Sequence, residues 1–409
     1  MQDHKLRIGF LSDYLTSEYV DNLINGISNF CAENNIRLFL FQIGDFHKKN
    51  PTFTNFEFAS VTAFINSNNL DGLIVASSAL LHSVNREEYL AILKDFSPLR
   101  IVNIASEIPG VPSVVADFEE AFDSLIQYLI DVQGCRRFGF MGVESQTPEV
   151  VQRTEIFNRV LARNGISKDN VVVWKSTFDY SSAYKKLTEY RREHGIIDFD
   201  AIVALNDEMA FACSDFCIRR MKMMVPNDIL ITGFDNLQRA TFNNPTITSI
   251  NQQIEFIGYT AANTLYKLLK GKEVPPVQRI KAKAVLRQST AKDKEAQKNF
   301  PGNNFISVDS RTSRDFSTSF SVSEWFNKRT QILQAANFQN SIDANVIFDT
   351  LPEIITNSLR GFGFQAAAVI TYEHPIEEPA PFDYFKLPSK ARFFAGFDYE
   401  KTFNVINFP

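Results

Sequence analysis

The chain has 409 residues, enough for two or three domains, with the 44% hydrophobic and 22% charged fractions of an ordinary globular protein. A net charge of −5 argues against a general nucleic-acid surface, and four cysteines (Cys31, Cys135, Cys213, Cys217) without a C-x-x-C pair exclude a disulfide framework. No signal peptide opens MQDHKLRIGFLSD and no apolar run approaches the ~18 residues of a membrane span, so a cytoplasmic location is expected.

Arg7–Ser12 reads as a short buried strand, and the apolar spacing of Tyr19, Val20, Leu23, Ile24, Ile27 and Phe30 predicts a helix over 18–33. Ile36–Ile43 is the next strand, Phe58–Asn66 a helix, Gly72–Ser77 a strand, Arg86–Phe96 a helix and Arg100–Ile104 a strand. A second series begins with a strand at Ser113–Asp117 and a helix over 118–132. It continues with strands at Arg137–Gly142 and Val171–Trp174 and helices over 149–164 and 181–193. Alternation at this pitch specifies βαβ units and parallel sheets covered on both faces. Two series of similar size predict two Rossmann-like lobes with a cleft between them.

The segment DAIVALNDEMAFACSDFCIRRMKMMVPNDILITGFDN, residues 200–236, places a polar cluster after each of two strands, Ala201–Leu205 and Ile229–Thr232. Ligands in open parallel sheets sit outside the carboxyl ends of strands, where both clusters fall. Asn206-Asp207-Glu208 ends the first strand and caps a helix over 208–222, Asp207 being the expected cap. Cys213 and Cys217, one turn apart on that helix, read as packing rather than a redox or metal pair. Residues 252–270 form the last long helix, with Ile254, Ile257, Ala261, Leu265 and Leu268 inward, and Ile280–Leu286 reads as a closing strand.

Residues 291–318 are polar and aperiodic and read as a linker. Helices are expected over 320–342 and 345–360, a strand at Phe364–Tyr372, then a loop and further strands. This order resembles the opening of a GAF-type sensor domain. About 65 residues after Val346 are too few to complete one, so the sequence reads as part of a longer protein.

Chemistry is sparse. There is no G-x-x-x-x-G-K-[ST] loop, no G-x-G-x-x-G after a strand and no G-x-S-x-G elbow. The five histidines (His4, His47, His82, His194, His374) are scattered, without ligand spacing. No metal, cofactor or catalytic residue is expected, and a non-enzyme is the reading.

ALNDEMA, VPNDILITGFDN, PTITSINQQIEFIGYTAANTLYKLL and SVVADFEEAFDSLIQYLIDVQGCRRFGFMG resemble signature segments of the LacI/GalR effector-binding domain, over about residues 6–288. That resemblance implies the periplasmic-binding-protein type I fold. Lobe 1 would take about 6–105 and 250–275, lobe 2 about 113–245 and 276–290, with crossovers near 105–116, 240–250 and 272–280. Residues 319–409 would follow as a signalling helix and a partial α+β domain. Gly134-Cys135 stands where the family carries Gly-His, and Ile156 replaces a customary Gly beside Arg153 and Phe157.

By the resemblance, Asp235 would accept hydrogen bonds from two adjacent ligand hydroxyls. Arg153 would offer a planar fork, and Asn206 would read a further hydroxyl. Asp13 and Tyr14 would contribute from lobe 1, with Ser77 and Asp117 at neighbouring strand ends. The family's N-terminal helix-turn-helix has no counterpart before the strand at residue 7. The implied protein is therefore a dimeric small-molecule (sugar-like) sensor without direct nucleic-acid binding by this chain, like sensor regions of bacterial diguanylate cyclases or histidine kinases. Two alternatives stand: a sugar-responsive transcriptional regulator with its DNA-binding domain elsewhere, and an interaction module that has lost its ligand.

Overall fold

A computed structural model describes residues 5–13, 15, 17–42, 62–81 and 85–291, and the backbone of four short strands further on. Lobe 1 opens with β1 (Arg7–Ser12), α1 (Glu18–Glu33), β2 (Arg37–Gln42), β3 (Gly72–Ala76), α2 (Ser77–Leu80), α3 (Arg86–Asp95), β4 (Arg100–Ile104) and β5 (Ser113–Asp117). Lobe 2 contains α4 (Glu119–Asp131), β6 (Phe138–Val143), α5 (Pro148–Arg163), β7 (Val171–Ser176), α6 (Tyr180–His194), β8 (Ala201–Ala204) and α7 (Asp207–Asp215). It continues through β9 (Leu230–Thr232), α8 (Gln238–Phe242) and β10 (Ser249–Asn251). The chain returns to lobe 1 for α9 (Ile254–Leu269) and β11 (Val277–Lys281), then re-enters lobe 2 as β12 (Lys283–Leu286). Most of the predicted Phe58–Asn66 helix lies outside the described residues.

Lobe 1 is a parallel six-stranded sheet in the order β11-β5-β4-β3-β1-β2, and lobe 2 a parallel four-stranded sheet in the order β7-β6-β8-β9. Both faces of β1 and β3, in the interior of the first sheet, are covered, which is why these strands read as largely apolar runs. Ile8, Phe10, Ile74 and Ala76 pack toward α1 and α9, while Leu73 and Val75 pack on the opposite face with Tyr89, Ile92 and Leu93 of α3. The helices start where sequence signals place them. Ser17 caps α1, Asn85 and Glu88 form a capping box on α3, and Pro148 occupies the first turn of α5.

Three differences from the sequence expectations bear on the site. Ser113–Asp117 does not begin lobe 2: it joins the lobe 1 sheet between β4 and β11. The expected closing strand Ile280–Leu286 breaks at Ala282, whose N–H donates to Asp117 O at 2.8 Å, so its two halves belong to different sheets. The expected helix over 208–222 changes at Phe216 to a wider π turn through Arg220. The lobe crossovers accordingly fall at 117–118, 251–254 and 281–283 and touch one another. Gln253 donates from Nε2 to Lys281 O at 2.6 Å, and Ala116 packs against the cores of both lobes.

Cys213 and Cys217 are wholly buried in the lobe 2 core, and burial raises both thiols, Cys217 to about 12. They are packing residues. Phe305–Ser307, inside the expected linker, lies parallel to β12. In a separate unit, Arg314–Pro409, strands Ala366–Tyr372, Ala391–Asp398 and Lys401–Asn404 form an antiparallel sheet in that order. The helices expected over 320–342 and 345–360 lie outside the described residues.

Candidate functional site

The site is built around the turn after β9. Gly233 is required there, because a Cβ would stand 2.1 Å from Asp207 Oδ1. Asp235 and Asn236 follow with φ of +106° and +56°, a region that L side chains rarely adopt and that persists only where surroundings enforce it. Three bonds enforce it. Asp235 N donates to Ile250 O at 3.0 Å, Asn236 N to Ser249 Oγ at 2.9 Å, and Leu237 N to Asp207 Oδ2 at 2.7 Å. The Asp235 carboxylate accepts from Gln252 Nε2 at 2.6 Å, which ties it to a lobe crossover. Burial pushes Asp235 up to about 6, against the pull of Arg153 and Gln252 and with a further push from Glu208.

Arg153 approaches from α5. Its guanidinium carbon lies 3.7 Å from the centre of the Phe234 ring and 5.3 Å from that of Phe118, a cation–π arrangement sealed from water. Nη1 donates to Leu205 O at 2.7 Å; Nε is buried and has no hydrogen-bond partner among the described residues. Burial lowers the Arg153 pKa, while Asp235, Glu149 and Tyr19 oppose that shift. Glu149, one turn earlier on α5, receives a hydrogen bond from Ser106 Oγ of lobe 1, and its other carboxylate oxygen is buried without a partner among the described residues.

Lobe 1 supplies Glu18 and Tyr19 at the start of α1. Backbone N–H groups of Gln238 and Arg239, in lobe 2, donate to the Glu18 carboxylate. Burial lifts Glu18 from 4.5 to about 7; the Gln238 bond opposes this, Glu208 and Asp21 add to it, and the Arg239 bond opposes it. A raised carboxyl contributes stability below its unfolded value and loses it as pH rises through the folded value. Unfolding free energy is therefore expected to fall between pH 5 and pH 8, by at most on the order of 3 kcal/mol from this group, which is read as a falling thermal midpoint. Asp235 contributes in the same direction at the lower end of that window. Glu18→Gln should flatten the profile near pH 7, and parallel profiles for the two proteins would remove Glu18 from the account.

The residues expected from the sequence are not all brought together. Asp235 and Arg153 face each other as electrostatic partners. Asp13 lies just past β1, where its carboxylate accepts from Ser12 Oγ at 3.2 Å, and Tyr14 lies outside the described residues. Ser77 is wholly buried: it donates to Ile104 O at 2.6 Å and accepts from Asn103 Nδ2 and Ser106 N, both at 3.1 Å. It thus shapes the turn that carries Ser106 to Glu149. Asp117 stands at the first crossover, its carbonyl bound to Ala282 N. Asn206, rather than Asp207, is the cap of α7: it accepts from Met209 N at 2.9 Å and donates to Phe178 O at 2.8 Å. Asp207 is instead buried under the Asp235 turn, because Leu237 N–H and Ser249 Oγ both require an acceptor there.

Sequence reading missed Glu18, Glu149 and Gln252. Glu149 carried a usable signal, an acidic residue one helical turn before Arg153. The other two belong to the site only through contacts distant in sequence.

This fold and cleft define a periplasmic-binding-protein-like domain of two parallel-sheet lobes, and residues 126–290 match the family profile of the periplasmic binding protein-like domain. The HTH-type transcriptional repressor PurR of Aliivibrio salmonicida is similar, at 24% identity over 268 residues, 65% of this chain and 75% of that repressor. Catabolite control protein A of Priestia megaterium shares 29% over 228 residues, 54% of this chain and 65% of that protein. Among solved structures, a LacI family transcriptional regulator from Enterococcus faecium with bound ribose superposes with a TM-score of 0.58 at 22% identity, over 69% of this chain and 98% of that one. The lac repressor dimer bound to operator and the anti-inducer ONPF gives 0.59 at 17%, over 71% of this chain and 95% of that one.

Proposed function

We propose that residues 6–288 sense a small polyhydroxylated molecule, a sugar or a derivative, in the cytoplasm. The ligand closes the lobes, and closure is passed to a C-terminal output such as a diguanylate cyclase. The observation that carries this is the Arg153–Asp235 pair: a buried guanidinium with an N–H unused among the described residues, beside a carboxylate held in a strained turn, at the carboxyl ends of parallel strands. Asp13 and Tyr14 join from lobe 1, and Ser77, Asp117 and Asn206 hold the surrounding turns and crossovers. Ligand favours closure only through tighter binding to the closed state, which contacts of both lobes with one molecule provide. The chain acts as a homodimer and has no enzymatic role within these residues.

The relatives include transcriptional repressors and regulators, which favours a second reading in which the same sensor controls a DNA-binding domain. Ligand binding is common to both readings. Thermal unfolding of the full chain against sugars, sugar acids, amino sugars and nucleosides tests it. A ligand at a hundred times its dissociation constant adds about 2.7 kcal/mol. Asp235→Ala and Arg153→Lys are each expected to abolish the shift, the lysine because an ammonium cannot reproduce the planar fork. An unchanged shift in both variants would place the ligand elsewhere.

A further inference from the structure

At the carboxyl end of β4 the chain makes a strained turn. Ala105 has a φ of +83°, a conformation that glycine adopts freely and alanine holds only when its surroundings impose it. Three side chains impose it. Asn103 breaks the apolar run of β4, and its Nδ2 donates to Ser106 O at 2.5 Å and to Ser77 Oγ at 3.1 Å. Ser77 Oγ accepts from Ser106 N at 3.1 Å and donates to Ile104 O at 2.6 Å, so it grips the backbone on both sides of Ala105. Tyr89 of α3 donates to Asn103 Oδ1 at 2.5 Å, which fixes the amide with its nitrogen toward the turn. Burial raises the Tyr89 pKa, against a hydrogen bond with Ser77, so the phenol stays a donor.

Tyr89, Ser77 and Asn103 are wholly buried, and every side-chain donor they carry is used. An apolar side chain at 103, like those of Val102 and Ile104 beside it, would fill this interior without desolvating an amide. The polar set supplies geometry instead. It leaves the Ser106 hydroxyl directed out of lobe 1, where Oγ donates to Glu149 Oε1 of lobe 2. Glu149 stands one helical turn before Arg153 on α5, so this contact holds the start of the helix that carries the candidate ligand-binding guanidinium.

We infer that Tyr89, Asn103 and Ser77 are positioning residues for lobe closure: they hold the Ala105 turn in the conformation that presents Ser106 Oγ to Glu149 across the cleft. The role in closure rests on the sensor reading. The three residues touch neither lobe 2 nor a ligand in this arrangement and act through the Ser106 hydroxyl. A network that served only the lobe 1 interior would need no strained residue between Ile104 and Ser106.

Hydrogen–deuterium exchange of the full chain, without any ligand, tests this on the amides of α5 in the opposite lobe. Tyr89→Phe frees the Asn103 amide to turn over and is expected to raise α5 exchange on the order of fivefold, as Ser106→Ala does. Combining the two should add nothing on α5, because both act through one hydroxyl. Ala105→Gly on the Tyr89→Phe background should restore protection, since glycine holds a positive φ without the network. A hydrogen bond that merely stabilised lobe 1 would not be rescued in that way. The inference is overturned if either single variant leaves α5 at the parent rate, if the two rises add, or if glycine rescues nothing. Should Tyr89→Phe fail to fold, Asn103→Asp carries the same comparison, because it keeps the acceptor for Tyr89 and removes both donated bonds. No ligand enters these measurements, so their failure leaves the sensor reading standing, and the thermal panel decides that reading separately.

Discussion

Replacing Gly26 with alanine is expected to lower the thermal midpoint of the two-lobed unit by on the order of 10 °C, among the largest effects of any single methyl group in it. Gly26 lies where α1 crosses α9, and a Cβ at that position would stand 1.8 Å from the Glu255 carbonyl oxygen and 2.8 Å from Tyr259 N. The crossing is reciprocal, since a Cβ on Gly258 would meet Leu23 O at 2.3 Å. The obstructing atoms are backbone, so no rotamer change relieves the clash and one helix must move bodily. Overpacking in a dense core typically costs 1–3 kcal/mol, and a rigid obstacle places this case at about 3 or above. Displacing α9 would also disturb the adjoining crossover at Gln253, so ligand affinity should fall with stability. An alanine variant that melts with the parent protein would show that the two backbones are not in contact.

Asp207→Ala is the second large loss, about 3–5 kcal/mol in urea denaturation at pH 7. The carboxylate is wholly buried and accepts from Leu237 N and from Ser249 Oγ, each at 2.7 Å, so alanine orphans two buried donors at once. Burial, with the neighbouring charge of Asp235, raises the Asp207 pKa well above the usual carboxylate range. A neutral acceptor of the same shape therefore suits the position. Asp207→Asn should lie within about 1 kcal/mol of the parent, its carbonyl serving Leu237 and its amide facing Ser249. The contrast separates the hydrogen-bond role from a charge role: equal destabilisation by both variants would mean that the negative charge itself is needed. Because Leu237 N–H helps hold the Asp235 turn, the alanine variant should also lose ligand response.

Much of the architecture is legible in the chain because a strand buried on both faces has to be apolar throughout. Gly72–Ala76 and Ala201–Ala204 stand out for that reason, and α1 does through its apolar spacing. The Arg153–Asp235 pair entered through resemblance to a known domain, since neither residue breaks any local pattern. What misled was assignment to a lobe. Ser113–Asp117 has the same strand signature whichever sheet it joins, and only its pairing with Arg100–Ile104 places it in lobe 1. Asp207 looked like a cap because helix starts favour acidic side chains, yet Asn206 takes that role and leaves Asp207 to the turn 30 residues on.

The amino-acid sequence by itself determined the α/β class, the two series of parallel strands and the positions of most helix starts, because hydrophobic period and capping act over a few residues. Tertiary structure alone decided where the chain crosses between lobes, why Gly26, Gly233 and Gly258 admit no side chain, and that Glu18 and Glu149 reach across the cleft. Those features depend on atoms far apart in the chain and close in space. Their energies, from backbone contact, desolvation and unpaired buried atoms, exist only once the lobes are folded.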